Sequence, residues 1–192
     1  MPMNHDMGLM AAMLPVWFRL AWFIALIVVA GLHVWHAAAL RGQPRWWHGV
    51  HTVMAVGMAA MYAADPMKQA GLDRALFAVF TVVAAGLVAV TAAVGLREGA
   101  ANPLWALTVL DAAAMAYMSA VMLWPQAIGH VVSWVVIAYL CVDAIGWMFG
   151  VWDRLAVLRR ESIGLAGHDS ADVRVSLAVM AASMAYMLAA MM

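Results

Sequence analysis

The sequence predicts an all-α polytopic membrane protein. Its six transmembrane helices would form three αα-hairpin repeats around a methionine-lined, pseudo-threefold core. Three observations predict this. The 192-residue chain is 68% hydrophobic and 10% charged, with a mean hydropathy of +0.92, well beyond the apolar share of an ordinary soluble domain. It divides into six mostly apolar stretches, each long enough to cross a bilayer as a helix. Every second stretch also repeats nearly the same methionine-rich phrase.

In order, the stretches cover about 13–39, 46–64, 72–96, 103–124, 128–152 and 173–192. The first is apolar except for Arg19 near its start and His33 and His36 near its end. Arg41 to Pro44 breaks the chain before the second, and Asp65-Pro66 closes it. The third contains no methionine and is bounded by Glu98 to Pro103. The fourth ends at Pro125. The fifth has an expected extension toward residue 158, and the run from Gly164 to Asp172 precedes the sixth. Paired, the stretches give hairpins at about 13–64, 72–124 and 128–192, in one integral membrane domain with an external tail at 1–12.

Charge sets the expected orientation. The loops after the odd stretches, with the start of the sixth, carry Arg41, Arg45, Arg97, Arg154, Arg159, Arg160 and Arg174. The opposite side carries Lys68, Arg74 and Arg19. Both termini are therefore expected outside a bacterial plasma membrane. The net charge is zero and there is no basic run, so nothing suggests nucleic acid. A lone Cys141 excludes an intramolecular disulfide. The first stretch is too long for a signal h-region and lacks a positive n-region, so it is expected to remain as a helix.

The repeated phrases place Met54, Met58, Met61 and Asp65 on the second stretch. The fourth carries Asp111, Met115, Met118 and Met122; the sixth carries Met180, Met184, Met187 and Met191. The spacing i, i+4, i+7, i+11 keeps each set within about 60° of helix surface. Ten of the eighteen methionines stand in these stripes, which random use in an apolar chain would not produce. Aligned, they make four layers about 4.5–6 Å apart: Met54/Asp111/Met180, Met58/Met115/Met184, Met61/Met118/Met187 and Asp65/Met122/Met191. A single methionine stripe is ordinarily packing. Three in register point to soft-metal chemistry, since thioether sulfur favours Cu(I) over Zn²⁺, Mg²⁺ or Ca²⁺.

Met54-x-x-x-Met58 and Met180-x-x-x-Met184 resemble the Met-x-x-x-Met helices of the eukaryotic Ctr-type copper transporters. In that family three subunits bring the motif together around a pore. Asp111-x-x-x-Met115 departs from it at the first position. The N-terminal cluster Met3, His5 and Met7 is similar to the external copper-collecting tails of that family. The resemblance implies Cu(I) as the bound ion and does not extend to the hairpin connections. As a whole, the sequence resembles a family of six-helix actinobacterial membrane proteins of unknown function, which implies a fold and no activity.

His33 and His36 share a face at the inner end of the first helix, and His48 and His51 do so on the second. They read either as an inner imidazole site receiving metal from the sulfur layers or as polar residues beside Trp46 and Trp47 at headgroup level. Asp111 and Asp143 are intramembrane carboxylates and so are functional candidates. Asp111 shares the methionine stripe, and Asp143 has His33 or His51 as possible partners at its depth. His130 is a candidate for an outer site; His168 reads as a solvated loop residue.

The function expected is a Cu(I) transporter or channel; alternatives are a copper storage or delivery protein and a b-type haem cytochrome using axial histidines. No nucleophile–base grouping or ATP motif appears, so enzymatic chemistry is not expected. The expected partners are the copper ion and the lipid bilayer, with a second copy of the chain or a copper-accepting membrane protein beyond them.

Overall fold

The computed structural model describes residues 15–64, 70–98, 103–124, 130–154 and 170–192. All regular structure there is helical: α1 (Val16–Ala39), α2 (Gln43–Ala63), α3 (Ala70–Glu98), α4 (Pro103–Leu123), α5 (His130–Met148), the single turn α6 (Val151–Arg154) and α7 (Ala171–Ala190). Six helices are long. Five of them, α1, α3, α4, α5 and α7, are long and apolar enough to cross a membrane. α2 has the length, 21 residues, or about 31 Å at 1.5 Å per residue, but its histidines and tryptophans lower its hydropathy.

Local chemistry sets the helix ends. Pro15 occupies the N-cap of α1 and Pro44 the first turn of α2, where a missing N–H costs nothing. Gly42, at φ 72°, makes the tight turn between them. The continuous extension of α5 toward residue 158 is not what forms. α5 stops at Met148, and Gly150 at φ 62° turns the chain before α6; residues 155–158 lie outside the described set. The turn folds Trp152 back against Gly146, where any Cβ would collide with the indole.

Each long helix packs chiefly on one partner: α1 on α2, α3 on α4, and α5 on α7. In addition α2, α4 and α7 touch one another in all three pairings, and α1 reaches α7. Polar bonds pin these contacts at both ends. At one end, Arg19 of α1 donates to the carbonyls of Tyr62 (3.1 Å) and Ala64, capping α2, and Tyr62 Oη donates to the Ser183 carbonyl at 2.8 Å, joining α2 to α7. At the other, Trp47 Nε1 donates to Thr108 Oγ1 at 3.0 Å and Trp105 Nε1 to Gln43 Oε1 at 3.4 Å, joining α2 to α4.

Candidate functional site

The stripe methionines face inward. Met54, Met58, Met115, Met118, Met180 and Met184 are at most 2% exposed. Met61 and Met187 are also buried, while Met122 and Met191 are half-buried. One contact sets the relative height of two stripes: Ser183 Oγ, which donates to the Met180 carbonyl at 2.8 Å, lies 3.4 Å from Met58 Sδ. That brings Met58 of α2 level with the residue next to Met184 of α7. Asp65, Met3, His5 and Met7 lie outside the described residues, as does His168.

Asp111 is buried on the α4 stripe, but its Oδ1 accepts from Tyr139 Oη of α5 at 2.9 Å. Its carboxyl therefore turns to α5 as well as sharing the stripe by register. Asp143 does not pair with His33 or His51. Its Oδ1 accepts from Trp152 Nε1 at 3.1 Å, while its buried Oδ2 has no hydrogen-bond partner among the described residues. His130, the first residue of α5, is exposed.

The other four histidines converge. His33, His48 and His51 are at most 2% exposed, so they and the buried Trp47 do not face the surroundings as the headgroup reading requires, whereas Trp46 is exposed. Their rings form a column with centroid separations of 5.3 Å from His51 to His33, 5.1 Å from His33 to His48 and 4.8 Å from His48 to His36. At its rim His36 Nε2 lies 3.5 Å from Asp172 Oδ2.

The hydrogen bonds set the tautomers. His51 Nδ1–H donates to the Trp47 carbonyl at 2.8 Å and His36 Nδ1–H to the Leu32 carbonyl at 2.9 Å. His51 keeps an Nε2 lone pair, the arrangement typical of a metal-binding imidazole, while His36 presents its Nε2 to Asp172. Ser176 Oγ donates to the Val173 carbonyl at 2.7 Å and so accepts from His33 Nε2–H at 3.0 Å. His33 Nδ1 is then the acceptor for His48 Nδ1–H, at 2.8 Å.

With this geometry in place, one comparison is decisive: the model of a family described as a domain of unknown function, DUF5134, matches residues 43–191. The chain belongs to that family. No curated protein and no solved structure matches it. The DUF5134 span takes in α2 to α7 and all three methionine stripes; α1, with His33 and His36, precedes it.

Among the described residues, no three His, Cys, Asp or Glu side chains are grouped as a metal-ligand set. The donors concentrated within the DUF5134 fold are thioethers, with imidazoles at one end: a soft set and a borderline set. Sequence reasoning missed Tyr139 and Trp152 as carboxylate partners, Ser176 as the His33 acceptor, and Trp47 as an interior residue. The last had a signal. Trp47 stands seven residues before Met54, only about 20° away around α2, and so continues the same stripe.

Proposed function

We propose that this chain binds Cu(I) on stacked thioether layers and conducts it across the bacterial plasma membrane, as a transporter or channel, with both termini outside. In this reading the pairs α1–α2, α3–α4 and α5–α7 are three hairpin copies, and α2, α4 and α7 bring their stripes around one pseudo-threefold line. Asp65, Met122 and Met191 receive the ion, with Met3, His5 and Met7 collecting it. The ion passes Met61/Met118/Met187 and Met58/Met115/Met184, then reaches Met54, Asp111 and Met180 and the histidine end. Weak sites in series bind without trapping.

One observation carries this reading: eight stripe methionines are buried on three helices that all touch one another. Leucine would fill the same space with a better-defined shape. A thioether adds a lone pair that Cu(I) binds and that packing does not use. Haem between His33 and His48 fits poorly, because their Nδ1 atoms are 2.8 Å apart, whereas two nitrogens across a metal need about 4 Å at about 2 Å per bond.

The test is Cu(I) titration of purified protein under reducing conditions, with copper measured after desalting. The wild type should retain copper, and Met58→Leu with Met184→Leu should lose most of it while helix content is unchanged. Equal copper in the double variant would sink the sulfur site. Retained copper without flux in vesicles would favour storage or delivery on the same ligands.

A further inference from the structure

The thioether line does not run straight out at the histidine end. Seven residues before Met54, Asp111 and Met180 stand Trp47, Leu104 and Val173, each at most 1% exposed. All three share the faces of the stripes, since seven residues is nearly two turns. The Trp47 indole is held across from α2 to α4 by its bond to Thr108 Oγ1. An apolar closure of this kind offers an ion no donors, and a bare charge among apolar side chains is costly.

Beside that closure lies the imidazole column. His51 touches both routes: its ring is 4.2 Å from the Trp47 ring and 5.3 Å from that of His33. From there the column runs between α1, α2 and α7, and ends at His36 and Asp172, where the side chains are 21% and 48% exposed. We propose that Trp47 closes the inner end of the thioether line and that the ion leaves sideways, through His51, His33, His48 and His36, to Asp172 at the rim.

The proposal rests on the Cu(I) reading above and adds to it a path and a blocking residue. Each step is about one ring spacing, and imidazole is an accepted Cu donor. The His33–His48 pair is now bridged by one hydrogen. Parting the rings by about 1 Å gives the roughly 4 Å that two nitrogens need around a metal. An ion between the two Nδ1 atoms requires His48 to carry its proton on Nε2 instead of Nδ1, so the bridging hydrogen and the ion exclude each other and the pair is closed until the ion arrives.

The experiment measures Cu(I) entry into vesicles containing the full chain, with an impermeant Cu(I)-chelating dye sealed inside. Bound copper is measured in parallel on the same purified variants. His33→Leu and, at the accessible rim, His36→Leu should each slow entry by on the order of tenfold, as loss of one site from a serial path does, with copper still retained on the thioether layers. Trp47→Ala combined with His33→Leu should restore entry to within about threefold of wild type by opening the axial way. Full-speed entry in both histidine variants overturns the path. A double variant no faster than His33→Leu overturns the role of Trp47. Copper bound by the wild type without any entry also overturns the path and leaves the binding reading standing. A wild type that binds no copper removes both.

Discussion

α3 and α7 show opposite relations between hydropathy and burial. α3 is the most apolar of the five candidate spans, with a mean hydropathy of 2.4, yet only 11% of its most apolar window is buried; α7 is the least apolar, at 1.6, and 67% of its window is buried. In a soluble protein the order would be reversed. In a bilayer, lipid is the apolar solvent, so the most apolar helix gains nothing by moving inward, and small residues that let backbones approach take the interior. The buried face of α7 fits: Ala178, Ala181, Ala185, Ser176 and Ser183 alternate with Met180, Met184 and Met187. The lesson concerns the methionines. They are not inside because they are apolar, since more apolar side chains are left outside. Their placement needs either close packing or sulfur chemistry to explain it.

The contrast breaks most visibly by truncation. Met184→Ala removes a side chain that is 1% exposed, whereas Val82→Ala on α3 trims one that is 71% exposed. Because lipid is about as apolar as the protein interior, the transfer contribution largely cancels and the cavity contribution remains. The expected cost for Met184→Ala is about 2 kcal/mol, the low end of the Met→Ala range. The expected change for Val82→Ala is within about 0.5 kcal/mol. Denaturant titration in mixed micelles measures both. Equal losses would mean that α3 is covered by something in the micelle and that the inside–outside division drawn here is wrong.

A smaller effect sharpens the same contrast on the backbone. A Cβ at Gly57 of α2 would collide with the ring of Phe80, itself fully buried on α3, while one at Gly86 meets nothing within 4 Å. Gly57→Ala should cost about 1–2 kcal/mol through overpacking. Gly86→Ala should be neutral or slightly stabilising, up to about 0.5 kcal/mol, since alanine is the better helix former. Thermal unfolding of the two variants side by side gives the sign of each.

Much of this arrangement was legible in the chain. The apolar stretches and the loop punctuation located six long helices within a few residues. The recurrence of methionine at i, i+4 and i+7 marked one face each of α2, α4 and α7, and the methionines at those positions are buried. Periodicity identifies a face, however, and does not say what that face meets. In the headgroup reading Trp46 and Trp47 stand together, but their directions around the helix differ by about 100°, and only Trp46 is exposed. For Asp143 the sequence offers His33 or His51 as possible partners, because its hydrogen-bond donor, Trp152, arrives only through the turn at Gly150. The imidazole column depends on how far α1 is rotated against α2, which side-chain spacing within one helix does not encode.

The smallest effect expected is at the lone cysteine. Cys141 is exposed on α5 and lines a shallow groove with Ile137, Ala182 and Ala185. Cys141→Ala should therefore change stability by no more than about 0.5 kcal/mol. The thiol supplies a chemical probe of the same inside–outside contrast. In micelles at mildly alkaline pH, an uncharged maleimide should alkylate Cys141 in the folded protein. In a Cys141→Ala background, Met184→Cys should stay unmodified until denaturant is added, because its position is 1% exposed, and an apolar interior also disfavours the reactive thiolate. Position 122, half-buried on α4, should fall between the two. A Cys at 184 that reacts as fast as Cys141 would show that the α7 stripe opens to the surroundings on the labelling timescale, and its methionines would then line a surface rather than an interior.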